Sequence, residues 1–162
     1  MAFRIQVTGL AELTSKMGKL PENAAKVAAE ALYEGAGVVA DKVSSAVQGI
    51  ATEPFKYAAR GKKRKPSPEE KAIVAGAKHG VAKFRKTGVS VQTSVGYQNA
   101  GYASLNGKTK PVPLIANSIN SGTSFMQKQP FMRKAFSQSK GPATAAIENG
   151  IKAREDELLD IG

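Results

Sequence analysis

The 162-residue chain has no cysteine and no tryptophan, and it has a single histidine. Without cysteine there is no disulfide framework, no thiolate metal site and no cysteine nucleophile. With only six Phe and four Tyr, the core must be built mainly from Ala, Val, Ile and Leu. No apolar run approaches the ~20 residues of a membrane span. The opening "MAFRIQVTG" also lacks the cationic-then-apolar order of a secretory signal, so a protein of the cytoplasm, or of a particle assembled there, is expected. The most extreme deficit is in negative charge. Residues 71–147 hold 11 Lys+Arg and no Asp or Glu. Residues 1–70 hold 11 basic and 8 acidic residues, and the stretch from Glu148 holds 2 and 5. A formal charge of +11 so distributed points to a partner of negative potential, either nucleic acid or an acidic protein surface, with solubility as the plainer alternative.

What is present fits one α+β domain over 1–162. Phe3, Ile5 and Val7 alternate with polar neighbours as in a short half-buried strand. Leu10, Leu13, Met17 and Leu20 follow at helical spacing. Pro21 then stands at the first turn of a long helix to about Ile50, whose apolar stripe includes Ala24, Val27, Ala31, Val39, Val43 and Val47. Lys26, Glu30, Glu34, Asp41 and Gln48 fall opposite, and Gly35 and Gly37 permit close approach by another helix or subunit. Ser67-Pro68-Glu69-Glu70 has the spacing of a capping box opening a helix that carries Ile73, Val74 and Ala77 and stops near Gly80. Val89, Val91, Thr93, Val95 and Tyr97 share one face of a strand, Asn106-Gly107 marks a hairpin, and "PLIANSINSG" reads as a short helix closed by Gly122. After Pro130 the pattern is helical, breaks at Gly141-Pro142 and resumes with Ala143, Ile147, Ile151, Leu158 and Ile161. The expected architecture is a small, mostly antiparallel sheet packed by a long N-terminal helix and a C-terminal helix.

Between the long helix and the capping box lies a segment with neither period. It predicts a flexible basic loop at about 51–66, within which Arg60, Lys62, Lys63, Arg64 and Lys65 are five cations in six residues. These five are the candidate contact with an acidic partner or DNA. Nothing comparable marks a catalytic centre. His79 beside Lys78 reads as a helix-end or surface residue, and no His or carboxylate cluster has metal-ligand spacing. No enzyme activity, cofactor or metal is expected, and no zinc, helix-turn-helix or base-stacking strand signature accompanies the basic run.

Two stretches carry a resemblance. "VTGLAELTSKMGKLPENAAKVAAEALYEGAGVVADKV" stands early, and "ANSINSGTSFMQKQPFMRKAF" stands late, ahead of "KGPATAAIENGIK". In order and spacing the pair resembles the neck, or tail-completion, proteins of long-tailed bacteriophages, also described as minor tail or head–tail joining proteins. Members open with a strand and Gly-Leu, here Gly9 and Leu10. They later carry Gly-Thr, here Gly122 and Thr123, and a turn into the last helix, here Pro130, Phe131, Arg133, Ala135 and Phe136. Asn120 and Ser121 depart from the aromatic or acidic residue usual before Gly-Thr. The basic run and capped helix occupy the place of a Pro-then-Thr-Gly segment.

The resemblance implies a structural virion component, made in the host bacterial cytoplasm and located at the head–tail junction. It implies a homo-oligomeric, commonly hexameric, ring that docks on a connector or head-closure protein on one side and on a tail tube or tail terminator on the other. DNA passes through such a ring, and no membrane is involved. Two other readings stand beside it: a basic, sequence-independent nucleic-acid-binding protein, and an adaptor for an acidic host protein. On either of the first two, the loop is expected to be poorly ordered until it meets its neighbour.

Overall fold

A run of small apolar residues between Pro21 and Gln48 has no glycine–proline break, and in a computed structural model of the chain it forms helix α1, Pro21–Gln48. The structure describes residues 2–8, 21–77, 80–81, 85–87, 90–97 and 100–160. The expected helix of Leu10 to Leu20, together with Gly9, His79 and Val89, lies outside the described residues. Strand β1, Ala2–Thr8, precedes α1. It is followed along the chain by helix α2, Pro68–Gly76, and strands β2, Gly80–Val81, β3, Arg85–Thr87, and β4, Ser90–Gly96. Then come β5, Tyr102–Leu105, β6, Lys108–Pro111, helix α3, Val112–Ser121, and helix α4, Phe131–Asp160. The chain is α+β, with the long early helix and the last helix as its largest elements.

It divides into two compact units. One comprises residues 3–40, 81–95 and 139–162; the other comprises 41–80 and 96–138 with the first two residues. The first unit holds a sheet in the order β1-β4-β2, with β3 also paired to β4. Strands β3 and β4 are antiparallel, with Lys86 opposite Val91. The early turns of α1 bury Ala24, Val27, Ala28 and Leu32 against Val91 of β4 and against Ile147 and Ile151 of α4. One step along, Ala36, Val39, Val95 and Ala143 form a second cluster. The strand alternation holds from Val91 to Val95, with Val91, Thr93 and Val95 buried and Gln92 and Ser94 half-buried; Gly96, expected on the face of Gln92 and Ser94, is buried as well. On the outer face, Arg154 reaches Glu30 at 2.7 Å and Glu34 at 2.8 Å, two carboxylates one helical turn apart on α1.

The small residues of α1 are used within the chain. A Cβ on Gly35 would lie 2.5 Å from Ile147 Cγ1 and 3.2 Å from the Ala143 carbonyl, so glycine sets how closely α1 and α4 pack. A Cβ on Gly37 would meet nothing within 4 Å among the described residues. Gly35→Leu is therefore expected to destabilise by about 1–3 kcal/mol through overpacking. Gly37→Ala should stabilise by roughly 0.5–1 kcal/mol through helix propensity. Urea denaturation of the two variants checks both signs.

The second unit contains the C-terminal turns of α1, helix α2, the β5–β6 hairpin, helix α3 and the start of α4. The hairpin pairs Leu105 with Lys108. Its turn residues Asn106 and Gly107 have φ of 52° and 73°, the left-handed pair that a two-residue hairpin turn demands. The capping box forms as the spacing predicts. Glu70 N donates to Ser67 Oγ at 3.2 Å, and Ser67 N donates back to Glu70 Oε2 at 2.7 Å. Helix α3 ends at Gly122, φ 74°, where an added Cβ would stand 3.0 Å from the Lys128 backbone nitrogen.

One expectation is corrected. The helical pattern after Pro130 does not break at Gly141-Pro142; α4 runs through both, with Pro142 inside the helix. Both residues are exposed, so the Gln138 carbonyl that loses its helical N–H donor can be served by water. The cost remains, and Pro142→Ala is expected to raise stability by roughly 1–3 kcal/mol, read as a higher urea midpoint.

Candidate functional site

The late motif and the basic run, far apart in sequence, are stitched together in the second unit. Residues 123–126 form a tight turn: Thr123 N donates to the Met126 carbonyl at 3.1 Å, while Thr123 Oγ1 accepts from Met126 N at 3.0 Å and Phe125 N at 3.3 Å. Threonine at this position supplies a hydroxyl that closes the turn as a backbone group would. The basic run then lies alongside that turn. Arg64 N donates to the Phe125 carbonyl at 2.9 Å, Gln127 N donates to the Arg64 carbonyl at 2.8 Å, and Arg64 and Met126 form a parallel bridge. Gln129 clamps the other end of the loop. Its amide donates to the Ala51 carbonyl at 2.7 Å and accepts from Ala51 N at 2.8 Å.

This changes the membership of the basic set. Arg64 is 7% exposed and its guanidinium is engaged, Nη1 donating to Glu70 Oε2 and Nη2 to Glu70 Oε1, each at 2.7 Å. It cannot serve an acidic partner or DNA as the sequence suggested, because its charge is neutralised in the interior. Burial alone would raise the Glu70 carboxyl; the Arg64 hydrogen bonds and the Ser67 N–H outweigh it and hold Glu70 below the ordinary carboxylate range. Arg60, Lys62 and Lys63 are exposed and Lys65 is half-buried. Lys65 N donates to Glu53 Oε1 at 2.7 Å, which holds the Glu53 carboxyl below its ordinary range.

The motif residues separate into two kinds. Phe131 is buried and meets Tyr97 edge-to-face at 6.2 Å between ring centroids. Burial pushes the Tyr97 phenol up to about 12. Ala135 is buried, Phe136 half-buried, and Pro130 and Arg133 exposed. Asn120, which the sequence marked only as a departure from the family pattern, is buried and accepts from Met132 N at 3.1 Å, so it caps the start of α4. Gly122 and Thr123 are turn residues, and Leu10 lies outside the described residues with Gly9. A cleft of about 460 Å³ beside the motif is lined by Lys42, Ile50, Lys128, Pro130, Phe131 and Lys134 among others, with no carboxylate among the described residues of its wall.

Charge follows the division into units. The unit of residues 41–80 and 96–138 has 14 basic and 4 acidic residues, a balance of +10; the other has 10 and 9, a balance of +1. The basic unit also exposes Phe55, Tyr57, Tyr102, Leu114 and Phe125. The signal for these aromatics in the sequence is slight: Phe55 and Tyr57 alternate with cations in "PFKYAARGKKRK". Among the described residues no group of three His, Cys, Asp or Glu could hold a metal, and no helix is long and apolar enough to cross a membrane. Compared with models of protein families, with curated proteins and with solved structures, the chain matches none.

Proposed function

We propose that the protein is a structural component of a bacteriophage neck, which assembles as a homo-oligomeric ring between a head connector and the tail and lets DNA pass. The observation that carries this reading is the exposed apolar surface of the basic unit. Of its large side chains Phe55, Tyr57 and Phe125 are 42%, 89% and 50% exposed, and all three line one cleft. Exposed aromatics grouped with cations are the composition of a protein–protein interface core and its rim. The resemblance of the two motif stretches supplies the identity of the assembly, with a connector or head-closure protein and a tail tube or terminator as neighbours and the virion as location. The test is light scattering and electron microscopy of the purified chain with and without neighbouring neck proteins. Rings, or incorporation at the neck, are expected; a strict monomer that joins no particle overturns the reading.

The +10 balance of one unit favours a second reading, sequence-independent nucleic-acid binding. It predicts duplex-DNA affinity that falls steeply with salt. Changing Arg60, Lys62, Lys63 and Lys65 to Gln should flatten the log–log salt slope by up to about 3–4. An unchanged slope removes these residues from the contact.

A further inference from the structure

The cleft that holds Phe55, Tyr57 and Phe125 has a specific electrostatic character. It encloses about 390 Å³, and Lys108 and Lys110 of β6 also line it. Two apart on a strand, these lysines point to the same side, and both are exposed. Phe55 and Tyr57 pack edge-to-face at 5.4 Å, and the Arg64 guanidinium carbon lies 5.2 Å from the Phe55 ring centre. The wall's carboxylate, Glu70, is already matched by Arg64. An incoming ligand therefore meets aromatic faces and two lysine ammonium groups, while the carboxylate among the described residues of the wall is already matched.

The chain itself holds a segment of complementary chemistry. Helix α4 continues to Asp160, and Glu155, Asp156, Glu157, Leu158, Leu159 and Asp160 give its end four carboxylates and two leucines. The last turn contains no basic residue. The C-terminus of a helix already carries partial negative charge, so carboxylates there are placed against the dipole, and cations from outside relieve both. Arg154, the nearest cation in sequence, is engaged with Glu30 and Glu34. We propose that the acidic end of α4 of one copy docks in the Phe55–Tyr57–Phe125 cleft of a second copy, its carboxylates on Lys108 and Lys110 and its leucines among the rings. Cleft and helix end are different surfaces, so the contact is head-to-tail, the kind that closes into rings. The inference rests on the self-assembly reading above and makes its subunit contact specific.

The test uses the full chain and a labelled peptide of residues 150–162. The peptide should bind the wild-type chain, and Lys108→Glu/Lys110→Glu should weaken binding by at least about tenfold, with Tyr57→Ala weakening it as well. A peptide carrying Glu155→Lys/Glu157→Lys should bind the charge-reversed cleft in preference to the native one. In light scattering, the cleft variant and the tail variant should each fall to monomer, and their equimolar mixture should recover assemblies larger than a dimer, because native tail meets native cleft and reversed tail meets reversed cleft in alternation. Far-UV circular dichroism confirms that each variant is folded. Wild-type assembly by both variants overturns this contact and leaves the ring reading standing. A wild-type chain that never self-associates overturns this contact, and it overturns the ring reading too if the chain also joins no particle. Loss of a labelled oligonucleotide, but not of peptide, on changing Lys108 and Lys110 reassigns the cleft to nucleic acid and overturns the proposal.

Discussion

Arg64→Ala is expected to destabilise the protein by about 3–5 kcal/mol, the loss typical when one partner of a buried ion pair is removed. The size follows from the geometry. Both Glu70 oxygens are hydrogen-bonded to the guanidinium at 2.7 Å, and the two side chains are 7% and 5% exposed. Without Arg64, the carboxylate is left in a site whose burial favours its neutral form. The Arg64→Met/Glu70→Leu double variant removes both charges and should lose much less, with the remaining deficit near the ~1 kcal/mol of a helix cap, since Glu70 also accepts from Ser67 N. The pair is linked to pH. Glu70 titrates lower in the folded protein than its ordinary 4.5. The stability it contributes is therefore fully present above the unfolded value and is lost as pH falls through the folded one. Urea midpoints followed down from pH 7 should fall below about pH 4.5 in the wild type and less steeply in the double variant. Equal slopes would mean that the pair carries no such linkage.

That pair also marks the limit of what the sequence could reveal. Signals that work over a few residues were legible: the Ser67–Glu70 box, the Asn106-Gly107 turn, the alternation from Val91 to Tyr97 and the apolar stripe of α1 all depend on neighbours within one or two turns. Arg64 looked like the rest of its run because its distinguishing partners are tertiary. Glu70 is six residues on, beyond a loop, and the Phe125 carbonyl that receives its N–H is 61 positions away in sequence. Gln129 and Asn120 were illegible for the same reason: a side-chain amide that clamps Ala51 or caps Met132 has no local signature. The error at Gly141-Pro142 is of another kind. The local breaker signal was real, but the apolar contacts of Ala143, Ile147 and Ile151 with α1 favour continuing the helix beyond it.

Phe131→Ala and Arg133→Ala are expected to separate the two halves of the late motif. Phe131 is buried against Tyr97, and truncating a buried phenylalanine costs about 3–5 kcal/mol through lost transfer energy and the cavity left behind. For a chain of this length that is a fall in midpoint temperature of roughly 10 °C. Arg133, two residues on, is exposed and should change stability by no more than about 0.5 kcal/mol when truncated. The same "PFMRKAF" thus contains buried residues that the fold requires, Phe131, Met132 and Ala135, beside exposed ones, Arg133 among them. An exposed side chain can face a neighbour in an assembly, so on the neck reading proposed above Arg133→Ala should leave the melting curve in place and lower incorporation into the particle. Calorimetry and particle-binding assays on the two variants decide the matter. If Arg133→Ala incorporates as well as the wild type, the motif is wholly a folding element, and the docking face must be sought at the aromatic cleft instead.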